Sequence, residues 1–345
     1  MSATLRDVAQ AAGVSVSTAS RALSRPELIG EAARTRVLAA AASLSYTPNR
    51  AARALITGRN QSLGLVVPDL NNPFYSSIVK GAQAAARSAE QTLLIADTDE
   101  DPRAELGMVE QLARQVDAIV LCSSRMSDAE LEHARQLRPV VLVNRSAPGV
   151  PAIRFDSAKG VREVAAHLAA LGHRRVGYVA GPQHSYSDAD RTTVIEQVFG
   201  ETGLVLVRLG HHEPSFQGGR DAADEVLLAE VTAVMAYNDV MALGLVNRLV
   251  SYGVDVPGDL SVVGWDDIEF AEMFTPPLTT VHVPREEAGS AAVRYLEAVL
   301  SGQQPEEPVL RTRLVFRRST ARVAPVPVGS AARRERPGLL EAERS

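Results

Sequence analysis

Apolar residues recur at helical spacing through the first 46 positions, and from Ser62 onward they gather into short continuous runs separated by amphipathic stretches. In the first part, Leu5, Val8, Ala9 and Ala12 share one face of a helix over residues 3–12. Thr4 is placed to cap it, with Asp7 three positions on to return the bond. Gly13 supplies the stop and the sharp turn. Ser15 then caps a second helix, with Val14, Thr18, Ala19, Ala22 and Leu23 turned inward and Val16, Ser17, Ser20 and Arg21 turned outward. A third helix is expected over 31–44, packed through Ala33, Val37, Leu38, Ala41 and Leu44. Pro48 forbids helix at the residue before it. Residues 49–58 allow one more short helix, at about two turns too short to be stable alone.

In the second part, Leu63–Val67 reads as a buried strand followed by a helix over 74–90. Leu93–Ala96, Ala118–Cys122 and Val140–Val143 repeat the pattern, with helices near 104–114 and 128–137. The series restarts with a helix over 157–171 and strands at Val176–Val179, Leu204–Val207, Ala233–Ala236 and Ser261–Gly264. Short apolar runs alternating with amphipathic helices predict parallel sheets covered on both faces. From 323 to 345 the chain is rich in Pro, Ala, Arg and Glu, and reads as a disordered tail without leucine heptads.

Charge changes the picture. Residues 1–60 carry eight arginines, no lysine and three acids, a net +5, so the chain's overall −5 leaves −10 on the remaining 285 residues. A basic head on an acidic body is the asymmetry expected where only the head meets phosphates. Two short helices joined at a glycine form a helix-turn-helix, which offers its second helix to the major groove. The arginines of 49–58 suggest that this short helix orders against DNA.

The bulk numbers bound the rest. At 345 residues the chain accommodates two or three domains. The lone Cys122 sits in an apolar strand and reads as a buried structural thiol. No apolar run approaches the ~18–20 residues that span a bilayer, and no signal peptide is apparent, so a cytoplasmic location is expected. His211–His212 lacks further ligands at useful spacing, so neither a metal nor any other cofactor is expected. No phosphate-binding glycine loop or nucleophile elbow suggests an enzyme.

Thr4–Ala9 through Ala22–Leu23, Tyr46–Asn49 with Leu55, Asn72–Tyr75, Asn238–Gly244, Val262–Asp267 and Pro276–Val281 occur in an order and spacing that resemble the lactose-repressor (LacI/GalR) family of transcription regulators. The resemblance runs from residue 3 to about 320. It implies a helix-turn-helix head over 1–48, a hinge helix and linker over 49–60, and a two-lobed periplasmic-binding-protein-like body over 61–322. The chain would cross between lobes three times, giving a first lobe of about 61–156 and 284–310 and a second of about 157–283 and 311–322. It further implies base contacts from Val16, Ser17 and Arg21. Arginine suits guanine O6 and N7, and valine a thymine methyl; the plainer reading of Arg21 is a phosphate contact. Thr4, Ser15, Ser20 and Arg34 are candidate phosphate contacts. Leu55 is either an ordinary exposed side chain or, as the family implies, a wedge in the minor groove beside Asn49 and Arg53.

Ligands of two-lobed α/β proteins bind at the carboxyl ends of strands. The residues there are Asn72 and Phe74, Asn144–Arg145, Arg191, Asn238–Asp239 and Asp266–Asp267. Amides, carboxylates and an arginine near Phe74, Tyr75, Tyr186 and Trp265 suit a polyhydroxylated ligand. By resemblance, Asn144, Arg191, Asn238 and Asp266 grip the effector, Phe74 packs on it, and His212 stands where an aromatic often lines the pocket. Asp239 reads more simply as a helix cap, and Asp267 as a cap or hinge contact. Departures include Ser157 after Asp156, Thr192–Thr193 after Arg191, Val283 where glutamine is frequent, and Ser185 and Ser187 in place of larger polar groups. They leave the effector open between a sugar, the commoner class, and a nucleobase or nucleoside.

The expected protein is a homodimeric repressor that binds a palindromic operator under effector control. Its dimer surface is expected on the helix at 74–90, where Ala82, Ala85, Ala86 and Ala89 allow close approach, unless that face packs on its own sheet. The alternative is a solute-binding protein without a DNA role, which fits the body and not the basic head.

Overall fold

The computed structural model describes residues 3–24, 28–46 and 60–323. Asn49, Arg53, Leu55 and the tail from 324 lie outside the described residues. The head holds α1 (Leu5–Ala11), α2 (Val16–Ser24) and α3 (Glu31–Ser43). Its core is Val8, Ala9, Ala12, Ala19, Ala22, Val37 and Ala40, with Leu5, Val14, Leu23 and Tyr46 against it. Leu38 and Leu44 are corrections: both are exposed, Leu38 to 46%. A face through Val37 and Ala40–Ala41 leaves Leu38 turned roughly 100° away, because each helical residue advances by that angle.

By contact the chain divides into two compact units, the first of which includes the head. The first draws on the segment up to Asp156, on His184–Ser187 and on Pro284–Arg311. Its sheet comprises β1 (Ser62–Val67), β2 (Thr92–Asp97), β3 (Ala118–Cys122), β4 (Val140–Val143), β5 (Ala152–Asp156) and β11 (Val309–Arg311). Every pairing is parallel, in the order β11-β5-β4-β3-β1-β2. Helices α5 (Pro102–Ala113) and α6 (Asp128–Leu137) cover the face of Val66, Ile119, Leu121 and Leu142. Helices α4 (Pro73–Ser88) and α13 (Arg285–Leu300) pack against each other and on the strands. The α4–α13 crossing depends on two glycines: a Cβ on Gly81 would stand 1.9 Å from the Glu286 carbonyl oxygen, and one on Gly289 2.0 Å from that of Ile78. Ala82 and Ala86 are buried within this packing, so only Ala85 and Ala89 of the expected alanine face reach solvent. Cys122 is buried, and burial pushes its thiol pKa up.

The second unit takes Ser157–Gln183, Asp188–Val283 and the segment from Thr312. Its parallel sheet runs β7-β6-β8-β9: β6 (Arg175–Ala180), β7 (Val205–His211), β8 (Ala233–Ala236) and β9 (Ser261–Val263). The expected Leu204–Val207 strand therefore starts one residue later and ends four residues later. Two short strands, β10 (Thr280–His282) and β12 (Arg313–Val315), form a separate antiparallel pair. Helices α7 (Ser157–Ala170), α8 (Tyr186–Thr202), α11 (Asp239–Ser251) and α12 (Glu269–Met273) connect these strands, with the short α9 (Phe216–Asp221) and α10 (Ala223–Leu228) after β7. Val323, the last described residue, donates its N–H to the Leu171 carbonyl at 3.0 Å. In each unit the first strand lies between the second and the third, which puts a topological switch point beside the carboxyl ends of β1 and β3 and of β6 and β8.

Candidate DNA-reading and effector-binding residues

Helix α1 opens with a capping box: Thr4 Oγ1 accepts from the Asp7 N–H, and an Asp7 carboxylate oxygen accepts from the Thr4 N–H at 2.8 Å. These bonds hold the exposed Asp7 carboxyl below its usual range, the backbone bond most of all. Gly13 turns the chain at φ 63°. Ser15 Oγ accepts from the Thr18 N–H at 3.1 Å and starts α2. This cap fixes the outward face, where Val16 is 44% exposed and Ser17 and Arg21 are also exposed. Ser20 is half-buried beside them, and Arg34 is exposed on α3. Thr4 and Ser15, both expected at phosphates, use their hydroxyls as caps here.

In the first unit, Asn72 caps α4 by accepting from the Phe74 N–H at 3.0 Å. The Phe74 ring meets Tyr75 and Phe155 edge-on, with centroids 5.0 and 6.3 Å away. Asn144, just past β4, adopts φ 61° and donates through Nδ2 to Ser123 Oγ at 2.9 Å. The residue after it is wholly buried. Arg145 donates to the carbonyls of Ser124 and Met126 at 2.9 and 2.5 Å and reaches Asp128 at 3.4 Å. Its guanidinium lies 3.6 Å from the centre of the Tyr186 ring. Burial lowers its pKa, and its Nε has no hydrogen-bond partner.

In the second unit, Arg191 is buried beside two aromatics, 4.1 Å from the Trp265 ring centre and 5.1 Å from that of Tyr237, and donates to the Tyr237 carbonyl. Those aromatics immediately precede Asn238 and Asp266, so one guanidinium gathers the ends of β8 and β9. Asn238, not Asp239, caps α11: its Oδ1 accepts from the Met241 N–H at 2.8 Å. Asp239 is wholly buried and accepts from the Ile268 N–H at 2.9 Å and from the Thr280 hydroxyl. Asp266 is buried at φ 111°, followed by Asp267 at φ 59°. The Asp267 carboxylate accepts from His282 Nδ1 at 2.9 Å and Arg317 at 2.7 Å. Burial opposes its ionisation, but these two bonds outweigh it and bring its pKa down to about 2.

His212 bonds Glu225 at 3.3 Å, beyond the edge of the sheet. The neighbouring His211 instead donates to the Gly181 carbonyl at 2.8 Å. It stands 3.9 Å from Asp188, which also accepts from the Tyr178 hydroxyl at 2.7 Å. Sequence reasoning passed over His211 and Asp188, because a register shift between β6 and β7 at Val179/Ala180 decides which histidine faces the strand end. Arg145 was visible only as a polar residue after a strand. Among the described residues no cluster of His, Cys, Asp and Glu suits a metal ion, and no helix is long and apolar enough to cross a membrane.

Residues 4–49 match the model of bacterial regulatory proteins of the lacI family, and 165–320 match that of the periplasmic binding protein-like domain. The transcriptional regulator GalR of Escherichia coli K12 is 38% identical over 82% of this chain and 84% of its own. The chain belongs to the LacI/GalR family. It is therefore a DNA-binding transcriptional regulator, and its relatives are not enzymes. Two solved structures extend the likeness. The lac repressor dimer bound to operator and the anti-inducer ONPF superposes with a TM-score of 0.83 at 27% identity, covering 93% of this chain and all of that one. The CelR–cellobiose complex gives 0.67 at 30% identity over 92% and 99%.

Proposed function

We propose that the protein is a repressor that binds a palindromic operator as a homodimer and releases or tightens its hold when a small polyhydroxylated molecule, a sugar, binds the body. On this reading Val16, Ser17 and Arg21 meet base edges, while Thr4, Ser15, Ser20 and Arg34 meet phosphates. Asn49, Arg53 and Leu55 act at the minor groove. Asn72, Phe74, Asn144, Arg191, Asn238 and Asp266 hold the sugar. His212, bonded to Glu225 at 3.3 Å, lines the pocket beside that set. The observation that carries the reading is the grouping of Arg191, Trp265, Tyr237, Asn238 and Asp266 at adjacent strand ends. Planar rings beside buried amide and carboxylate groups recognise hydroxyls on an apolar ring face. The related CelR was solved with cellobiose, which fits this class.

Two measurements test it. A thermal-shift panel of D-ribose, cellobiose, further mono- and disaccharides, and nucleosides is expected to give a rise in Tm with a saccharide, since a ligand specific for the native state stabilises it. A response confined to nucleosides would replace the sugar by a nucleoside effector. Selection from random duplexes is expected to return an inverted repeat whose affinity falls steeply with salt and shifts when that saccharide is added. Binding without preference for any inverted repeat would sink the repressor reading.

A further inference from the structure

Two consecutive non-glycine residues in left-handed backbone, Asp266 at φ 111° and Asp267 at φ 59°, form the turn after β9. Such backbone is costly for a residue with a Cβ and persists only where its surroundings over-determine it. The surroundings here are specific. The Asp266 N–H donates to the Val281 carbonyl at 2.9 Å, and the Asp266 carbonyl accepts from the Val283 N–H at 3.4 Å. The Asp267 carboxylate takes one bond from His282 on β10 and one from Arg317 just beyond β12. Arg317 is itself fixed, its second terminal nitrogen donating to the Leu278 carbonyl at 3.0 Å and its N–H to Thr279 Oγ1 at 3.0 Å. On the far side of the turn, the buried Asp239 accepts from the Ile268 N–H. The strands so joined are distinctive. β10 ends one residue before Val283, where the chain leaves this unit, and β12 begins one residue after Thr312, where it returns. The two pair antiparallel through Thr280–Val315, Val281–Leu314 and His282–Arg313.

We infer that Asp267, with His282 and Arg317, is the positioning group for Asp266, holding the effector-contacting residue in its strained backbone and joining it to the strand that leaves the unit. This rests on the reading of Asp266 as an effector contact. One opposite charge and a histidine donor stabilise one carboxylate in one orientation, which a neutral amide in its place reproduces only in part. Occupancy at Asp266 thereby acts on the Val281 and Val283 bonds without any residue of the clamp touching the effector.

The test uses the full chain and, as probe, the saccharide of the panel above that raises Tm most, titrated by calorimetry. Asp266→Asn and Asp267→Asn are each expected to weaken binding at least tenfold. His282→Asn, whose Nδ2 can donate from nearly the position of the imidazole Nδ1, is expected to stay within threefold of wild type, while His282→Leu loses at least fivefold. Amide exchange at Val283, read against that at Val262 in β9, separates positioning from general destabilisation, which would move both. The probe is expected to slow it in wild type and in His282→Asn, and to leave it unchanged in Asp267→Asn even at saturation. Loss in Asp266→Asn with wild-type binding in both Asp267→Asn and His282→Leu overturns the positioning role alone. Wild-type binding in Asp266→Asn overturns the effector reading on which it rests.

Discussion

The two units of the body solve the same local problem with opposite charges. Each ends a strand with a polar residue in left-handed backbone, Asn144 after β4 and Asp266 after β9, and each follows it with an ionised side chain that holds neighbouring loops, buried at Arg145 and half-buried at Asp267. Arg145 is held by neutral carbonyls, an exposed aspartate and an aromatic face, and keeps an Nε without a partner. Asp267 is held by a cation and a histidine. The first charge is desolvated without full compensation, and the second is compensated twice. The Arg145 loops therefore depend on one side chain, whereas the Asp267 turn is also supported from Asp239.

The largest expected effect separates the two. Arg145→Met leaves the Ser124 and Met126 carbonyls without their donor and is expected to cost the first unit about 3 kcal/mol. Denaturant unfolding followed by peptide-resolved hydrogen exchange checks this; equal loss in both units would remove the contrast. Acidification comes next and acts on the second unit. His167 bonds Thr320 at 2.9 Å, and His173 bonds Thr232 and the Ala321 carbonyl at 2.8 and 3.1 Å. Burial lowers the pKa of both from the ordinary 6.5. The unfolded chain then binds more protons between the lowered values and 6.5. Stability is full above 6.5 and falls as pH drops through that window, by at most about 1.4 kcal/mol per pH unit for each histidine. Asp267 adds a loss of the same sign at far lower pH, beginning near 3.8 and complete below about 2. Exchange protection measured from pH 7.5 to 5 is expected to decline in β6, β8 and β9 and to flatten in His173→Gln. The smallest effect sharpens the likeness between the units: Asn144→Gly relieves left-handed strain and is expected to raise Tm while weakening saccharide binding. A rise in both would deny Asn144 a role in binding.

Much of this was legible because local chemistry and tertiary context agreed. Thr4–Asp7, Gly13 and Ser15 fix the head through bonds no more than four residues apart, and the continuous apolar runs of β1, β3, β4 and β8 can only be buried parallel strands. What escaped depends on distant partners. β10, β11 and β12 are three residues each and acquire identity only by pairing across more than thirty positions or more. β5 hides in a mixed segment, Ala152–Asp156, because only its first two residues are buried. Asn238 and Asp239 are interchangeable as caps on paper; Asp239 is withdrawn from that role because Ile268 and Thr280 claim its carboxylate. The candidate site was visible as residue types after strands. The clamps behind it were not, since nothing in the spacing of Asp267, His282 and Arg317 announces that they meet.

The pairing of β11 with β5 and of α13 with α4 carries a consequence for synthesis. As the polypeptide leaves the ribosome, the first unit exposes its incomplete edge at Ala152–Asp156 and the Ile78–Ala82 groove throughout translation of the next 127 residues, Ser157–Val283. The second unit holds its four-stranded sheet within that span, but β12 and Arg317, which complete it, are made after β11, so both units wait for the last part of the chain. The head, with its own core, can fold first, and the waiting first unit, with its open edge, is a natural client for a chaperone.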